Sequence, residues 1–249
     1  MIFAMIAILA FAAHAHAQHS LKIKNVPQPM VGTILGSDGR VVQFQTPAGT
    51  IGYPLANVES ITNMQTPPEL VSAQQSFQAK DFEKALQGAK AVADKFKGLP
   101  TDWARLAASM VATIYGNLGQ IDKAEAAWND FEKSYPGTGG LQAKVGRAQI
   151  AAAKKNFPAA KDALAPIIEE ALKQKNVPRE NAFAYSQAFY VMGLVNENEG
   201  KLSDALENYL RTVTIFFHDP SARAAAQDRA DALRAKNRDK KTSEQLAVP

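Results

Sequence analysis

The sequence predicts a mainly α chain preceded by a small β module. Two observations carry this. Four alanines, Ala85, Ala124, Ala160 and Ala205, sit at equivalent places in amphipathic helical stretches, 39, 36 and 45 residues apart. Ahead of them, residues 21–61 alternate Val, Ile, Thr and aromatic residues between turn signals. With 249 residues, 46% of them apolar, the chain is long enough for a sizeable core.

The first seventeen residues, MIFAMIAILAFAAHAHA, read as a targeting signal. Residues 2–13 are apolar, and Ala15-His16-Ala17 offers a small-x-small cleavage pattern before Gln18, although no Lys or Arg precedes the apolar run. A protein exported to the periplasm or secreted is expected, and the run is shorter than the roughly 20 residues a spanning helix needs. Cysteine is absent, which excludes disulfides, thiol catalysis and Cys-rich zinc sites.

The β module is placed at 18–61. Ser37-Asp38-Gly39 is a hairpin turn, because Asp-Gly supplies positive φ. Val42 and Phe44 share a face of the next strand, Pro47-Ala48-Gly49 turns again, and Ile51, Tyr53 and Leu55 alternate before Val58 and Ile61. Four or five short strands result. Their order with the turns resembles a small SH3-like or Sm-like barrel. About 40 residues seldom suffice for independent stability, so the module should pack on the helices or on another copy. It is either a structural N-terminal cap or a peptide-binding or assembly barrel. Residues 62–68 form a linker in which Pro67-Pro68 lets a helix start afterwards.

Residues 105–136 contain two amphipathic helices meeting at Gly119 and stopped by Pro136. Val111, Ala112 and Tyr115 mark a face of the first helix, and Ala124, Trp128 and Phe131 a face of the second. This order resembles a tetratricopeptide repeat (TPR). Residues 189–220 match again, with Phe189, Met192, Gly193, Gly200, Ala205 and Tyr209, and with Asp219-Pro220 as the stop. The units around Ala85 and Ala160 depart from the pattern: Lys80 and Lys155-Asn156 stand at the turns, and Pro166 should kink a helix. The resemblance implies a TPR-like helical-hairpin superhelix of four repeats over 69–220. A helix over 221–241, capped by Ser221, would cover its end, and 242–249 would be a disordered tail. From Arg223 to Lys241 there are seven basic and three acidic residues, equal to the net charge of +4 of the whole chain. That excess reads as a solvated capping helix or as a surface that attracts acidic partners or lipid headgroups.

Catalytic and metal readings fail on their chemistry. His14, His16 and His19 are close in sequence, but two lie in the signal. His218 has no Ser or Asp partner motif. Gly137-Thr138-Gly139-Gly140 with Lys144 lacks the phosphate-loop spacing. Glu169-Glu170 and Glu197-x-Glu199 read as helix surface. Trp128 reads as packing, and Trp103 as packing or an exposed anchor. No cofactor and no nucleic acid is expected.

By the TPR resemblance, the first helices of successive repeats line a peptide-binding groove, on which Thr113, Asn117, Gln149, Tyr190, Leu194, Glu197 and Asn198 fall. Ser109 and Thr113 occupy places where carboxylate-clamping TPR domains carry Lys and Asn. Neutral hydrogen bonding to a peptide backbone is therefore implied, with Tyr190 as an apolar platform. The expected function is a non-catalytic adaptor of the cell envelope, binding a protein or peptide. The alternatives are a structural homo-oligomerising component and an enzyme or small-ligand carrier.

Overall fold

The computed structural model describes residues 18–178 and 181–246, without the side chains of 237–246. The expected targeting signal lies outside the described residues, as do His14 and His16.

The N-terminal strands are β1 (His19–Ile23), β2 (Met30–Asp38), β3 (Val41–Thr46), β4 (Gly49–Pro54) and β5 (Val58–Thr62), with a 3-10 turn at Leu55–Asn57. Leu55, expected to continue the alternation of a strand, begins that turn. The sheet order is β4-β3-β2-β1-β5, antiparallel throughout these five. Asp38 Oδ1 accepts the N–H groups of Arg40 and Val41, both at 2.8 Å. These two donors hold its carboxyl below the usual carboxylate range. Leu21, Ile34, Val42 and Phe44 form the buried face.

A sixth strand, β6 (Phe96–Lys97), comes from the helical part of the chain and pairs in parallel with Ser37 and Asp38 of β2. The module therefore packs on the helices. One continuous core runs from Leu21, Val42 and Phe44 through Leu70, Ala89, Trp103, Ile114 and Trp128. Gly36 allows the backbone of Lys95 to approach, since a Cβ at Gly36 would lie 2.8 Å from the Lys95 oxygen.

The helices follow as α1 (Pro68–Gln78), α2 (Phe82–Lys95), α3 (Asp102–Asn117), α4 (Ile121–Ser134), α5 (Gly140–Ala153), α6 (Phe157–Lys173), α7 (Ala182–Asn198), α8 (Leu202–Thr214) and α9 (Pro220–Leu246). The first eight pair as four hairpins with the same turn. Lys80, Gly119, Lys155 and Gly200 take φ angles of 61°, 69°, 60° and 78°. The N–H after each bonds back to the carbonyl five residues earlier: Asp81 to Ser76, Gln120 to Tyr115, Asn156 to Ala151 and Lys201 to Asn196, at 2.8–2.9 Å. Each turn residue also bonds to the carbonyl three residues back. These are Schellman closures, which satisfy the orphan carbonyls of the first helix. Just beyond each turn, Ala85, Ala124, Ala160 and Ala205 are at most 1% exposed. Small residues set the approach of the helices: a Cβ on Gly146 would come within 2.4 Å of the Trp128 ring, and one on Gly193 within 2.4 Å of the Tyr209 ring.

Three expectations about α9 need correction. Helix α9 starts at Pro220 and is capped by Asp219, not Ser221: Asp219 Oδ1 accepts from Ser221 N and Ala222 N at 2.8 and 3.1 Å. Asp219-Pro220 thus opens α9 rather than ending α8, which stops at Thr214. At its other end α9 runs on to Leu246, into the expected tail, since no Gly or Pro between 221 and 246 interrupts it. Residues 247–249 lie outside the described residues. Helix α6 continues through Pro166, whose ring withholds one helical N–H. Trp103 is buried and meets Phe96 edge to face at 5.2 Å, so it is a packing residue and not an exposed anchor.

Candidate functional site

A cleft of about 580 Å³ is lined by the first helices of all four hairpins. Helix α1 contributes Gln74, Phe77 and Gln78. Helix α3 contributes Asp102, Arg105, Leu106, Ser109, Met110 and Thr113. Gln142 comes from α5, Phe183 from α7, and His218 to Ser221 from the connection into α9. Leu106 is 41% exposed there, an apolar side chain left at the surface.

A polar relay underlies one side of this cleft. Gln142 Nε2 donates to Gln187 Oε1 at 2.9 Å, and Gln187 Nε2 donates to Asp219 Oδ2 at 3.0 Å. The Asp219 N–H is received by Ser186 Oγ at 3.2 Å, and that hydroxyl donates to Ala182 O at 3.0 Å. Helices α5 and α7 and the start of α9 are thereby held in one register. Burial pushes the Asp219 carboxyl above its ordinary value, against hydrogen bonds from Ala222 N, Gln187 and Ser221 N that lower it. Asp102 and Arg105, at the mouth, form an ion pair with each other.

The seven residues expected on one groove do not gather in one place. Thr113 lies in the cleft, but its hydroxyl donates to Ser109 O at 3.0 Å and it is buried. Gln149, Leu194 and Asn198 line a separate hollow of about 310 Å³ with Gly116, Ile121, Phe157 and Val191. Asn117 is exposed, and its amide bonds back to Thr113 O at 3.0 Å. Tyr190 and Glu197 face α8 and α9 instead. Tyr190 packs near the Tyr209 ring at 6.1 Å. Glu197 receives the Tyr209 hydroxyl at 2.6 Å and Arg229 Nη1 at 3.2 Å. Burial, then the bond and proximity to Glu197, raise the Tyr209 phenol; burial raises that of Tyr190. Tyr190 is thus part of a packed layer with Leu194, Leu233 and Ala230 and is not an open platform. The physical cause is α9, whose Ala222, Ala226 and Ala230 recur every four residues and let it lie close on α8.

The remaining candidates of the sequence have structural partners. His19 Nδ1 accepts the Ile34 N–H at 2.9 Å, and burial lowers its pKa. His218 stacks on Phe217 at 4.7 Å. Glu170 accepts the Tyr185 hydroxyl, Glu169 pairs with Lys173, and Glu199 with Lys161 and Lys201. Those two lysines hold the Glu199 carboxyl below its ordinary value. Among the described residues no three His, Asp or Glu side chains come together as a metal cage.

Sequence reasoning missed Phe77, Leu106, Gln142, Phe183 and Gln187, and did not place His218, Asp219, Pro220 and Ser221 at the cleft. Gln187 gave the one available signal: an amide inside the otherwise apolar and small-residue run AFAYSQAFYVMG.

No protein-family model matches the chain, and no curated protein matches it. Among solved structures it is similar to MamA 41-end from Desulfovibrio magneticus RS-1, at 14% identity and a TM-score of 0.37, covering 70% of this chain and 98% of that one. A MamA RS-1 ArsTM double mutant gives 16% identity and a TM-score of 0.39, with 70% and 98% covered. A further MamA crystal structure gives 20% and 0.36, with 68% and 96% covered. These likenesses are too loose to place the chain in a family.

Proposed function

We propose that this chain is a non-catalytic interaction scaffold of the cell envelope, in which four TPR-like repeats present a cleft to an extended segment of a partner protein. The observation that carries this reading is the composition of the cleft, in which four successive hairpins contribute. Its lining combines neutral amides and hydroxyls (Gln74, Gln78, Ser109, Gln142) with the apolar side chains of Phe77, Leu106 and Phe183. Amides can donate to and accept from a peptide backbone, while an apolar residue of the ligand covers Leu106. Recognition is by shape and hydrogen bonding, with no bond made or broken. In the β module, the long β2 shared between two ladders and the 3-10 turn before β5 support an SH3-like reading. Export rests on the apolar run and Ala15-His16-Ala17.

A photo-crosslinking residue introduced at Ser109 or at Asn198 in the producing cell tests the site. Adducts are expected from Ser109 only, and the captured protein should bind purified Leu106→Glu at least about ten-fold more weakly than wild type. Equal adducts from both positions, or unchanged affinity, would refute the cleft. Mass spectrometry of the recovered protein tests export: a chain beginning at Gln18 is expected, and an intact Met1 would reject cleavage.

A further inference from the structure

The outer edge of the β module is open, and its geometry is self-complementary. Strand β4 ends the sheet order, and among the described residues nothing pairs with its far side. The register with β3 determines which backbone groups face outwards. Arg40 O receives Leu55 N at 2.7 Å, and the pairs along the ladder run Val41 with Pro54, Val42 with Tyr53, Gln43 with Gly52, Phe44 with Ile51 and Gln45 with Thr50. In an antiparallel ladder, hydrogen-bonded and non-bonded pairs alternate. Tyr53 and Ile51 therefore bond inwards to β3. Thr50 and Gly52 direct both N–H and C=O outwards, and Pro54 offers only its carbonyl.

Natural edge strands are usually blunted by charge, shortness or a bulge. The sequence of β4, GTIGYP, has no charged residue and runs for six residues without a register shift. Its one large aliphatic side chain, Ile51, is 43% exposed. Pro54 limits pairing to the stretch before it.

We propose that β4 pairs with β4 of a second copy of this chain across a two-fold axis centred on Ile51. In that register Thr50 of each copy lies opposite Gly52 of the other. Two donors and two acceptors per chain are used, giving four backbone hydrogen bonds and leaving only the Pro54 carbonyls at the edge. Ile51 then meets Ile51 as a non-bonded pair, the arrangement that brings cross-strand side chains closest. The two exposed isoleucines cover one another, and the two sheets become one. A two-fold contact of this kind closes on itself and stops at the dimer. The cleft between the helices has no part in it, so this inference stands apart from the proposed scaffold role.

Sedimentation equilibrium of the full chain over a range of concentrations tests it. Reversible dimerisation is expected. Thr50→Pro removes an outward N–H that β3 does not use, so the module should fold while pairing is lost. Ile51→Lys sets like charges face to face on the axis and should raise the dimer dissociation constant about ten-fold or more. Circular dichroism establishes that each variant folds, and either one suffices as the test. At dimer-forming concentrations, the Thr50 and Gly52 amides should exchange more slowly than in dilute protein. A wild-type chain that stays monomeric at high concentration, as it would if another protein's strand were the natural occupant, overturns the proposal. So does a dimer that a folded Thr50→Pro or Ile51→Lys variant retains unchanged.

Discussion

Lys80 and Lys155 hold left-handed backbone angles that glycine adopts freely and lysine does not. Both are exposed at the turns of hairpins one and three, where Gly119 and Gly200 serve hairpins two and four. Lys80→Gly and Lys155→Gly should each stabilise the fold by about 1 kcal/mol, because a Cβ in this region is sterically unfavourable. Urea denaturation reads the change as a higher midpoint with an unaltered slope. A lower midpoint would mean that the lysine side chains contribute more than their backbone costs. The same residues explain why two of the four repeats were hard to recognise in the sequence. The closure is made by main-chain hydrogen bonds, which any residue tolerating positive φ can complete, so a search for glycine sees half of them. The alanines at 85, 124, 160 and 205 were the more legible marks, since a buried close approach leaves little choice of side chain.

Among the elements, α9 most changes what the chain presents. It was legible as a helix but not as the cover over Tyr190 and Glu197, because which face of α7 stays open depends on a helix that begins only at Pro220, beyond α8. Its first turn is set by Asp219, and that carboxyl makes stability pH-dependent. Burial raises its folded pKa above the ordinary 3.8. The native state therefore holds this proton more tightly than the unfolded chain does, and the contribution is full below that value and lost as pH rises through the folded pKa. In Asp219→Asn the side-chain oxygen still caps Ser221 and Ala222, and the amides of Gln187 and Gln142 can turn over together to keep their hydrogen bonds. Melting temperatures of wild type should fall relative to this variant as pH rises above the ordinary 3.8 and through the raised folded pKa. Parallel curves would show that Asp219 titrates alike in both states.

At the scale of the molecule, one core joins the β module to the first hairpins, and a second joins α5, α6 and α7. Phe96 is at the junction, 8% exposed, in β6 and against Trp103. Phe96→Ala should cost roughly 3–5 kcal/mol, as expected for a large buried ring. Native-state hydrogen exchange should show β2, β3, α2 and α3 losing protection together while α7 and α8 lose less. Unchanged protection in β2 and β3 would mean the module folds by itself. The helical class and the N-terminal strands were readable from period and turns, whereas β6 was not. Two residues at the end of a helix carry no alternating pattern, and only the position of β2 gives them a partner.

That late strand bears on the order in which the molecule comes into being. Chains emerge from the N-terminus, and domains begin to fold as they emerge. The five local strands are complete by Thr62, yet Ser37 and Asp38 gain Phe96 and Lys97 only after more than thirty further residues have followed. Until then the nascent sheet has an unfinished flank at Ser37 and Asp38. A growing chain of this protein thus passes through an interval in which its earliest module depends on a later segment for completion, and the arrival of α2 and the two residues that follow it ends that interval.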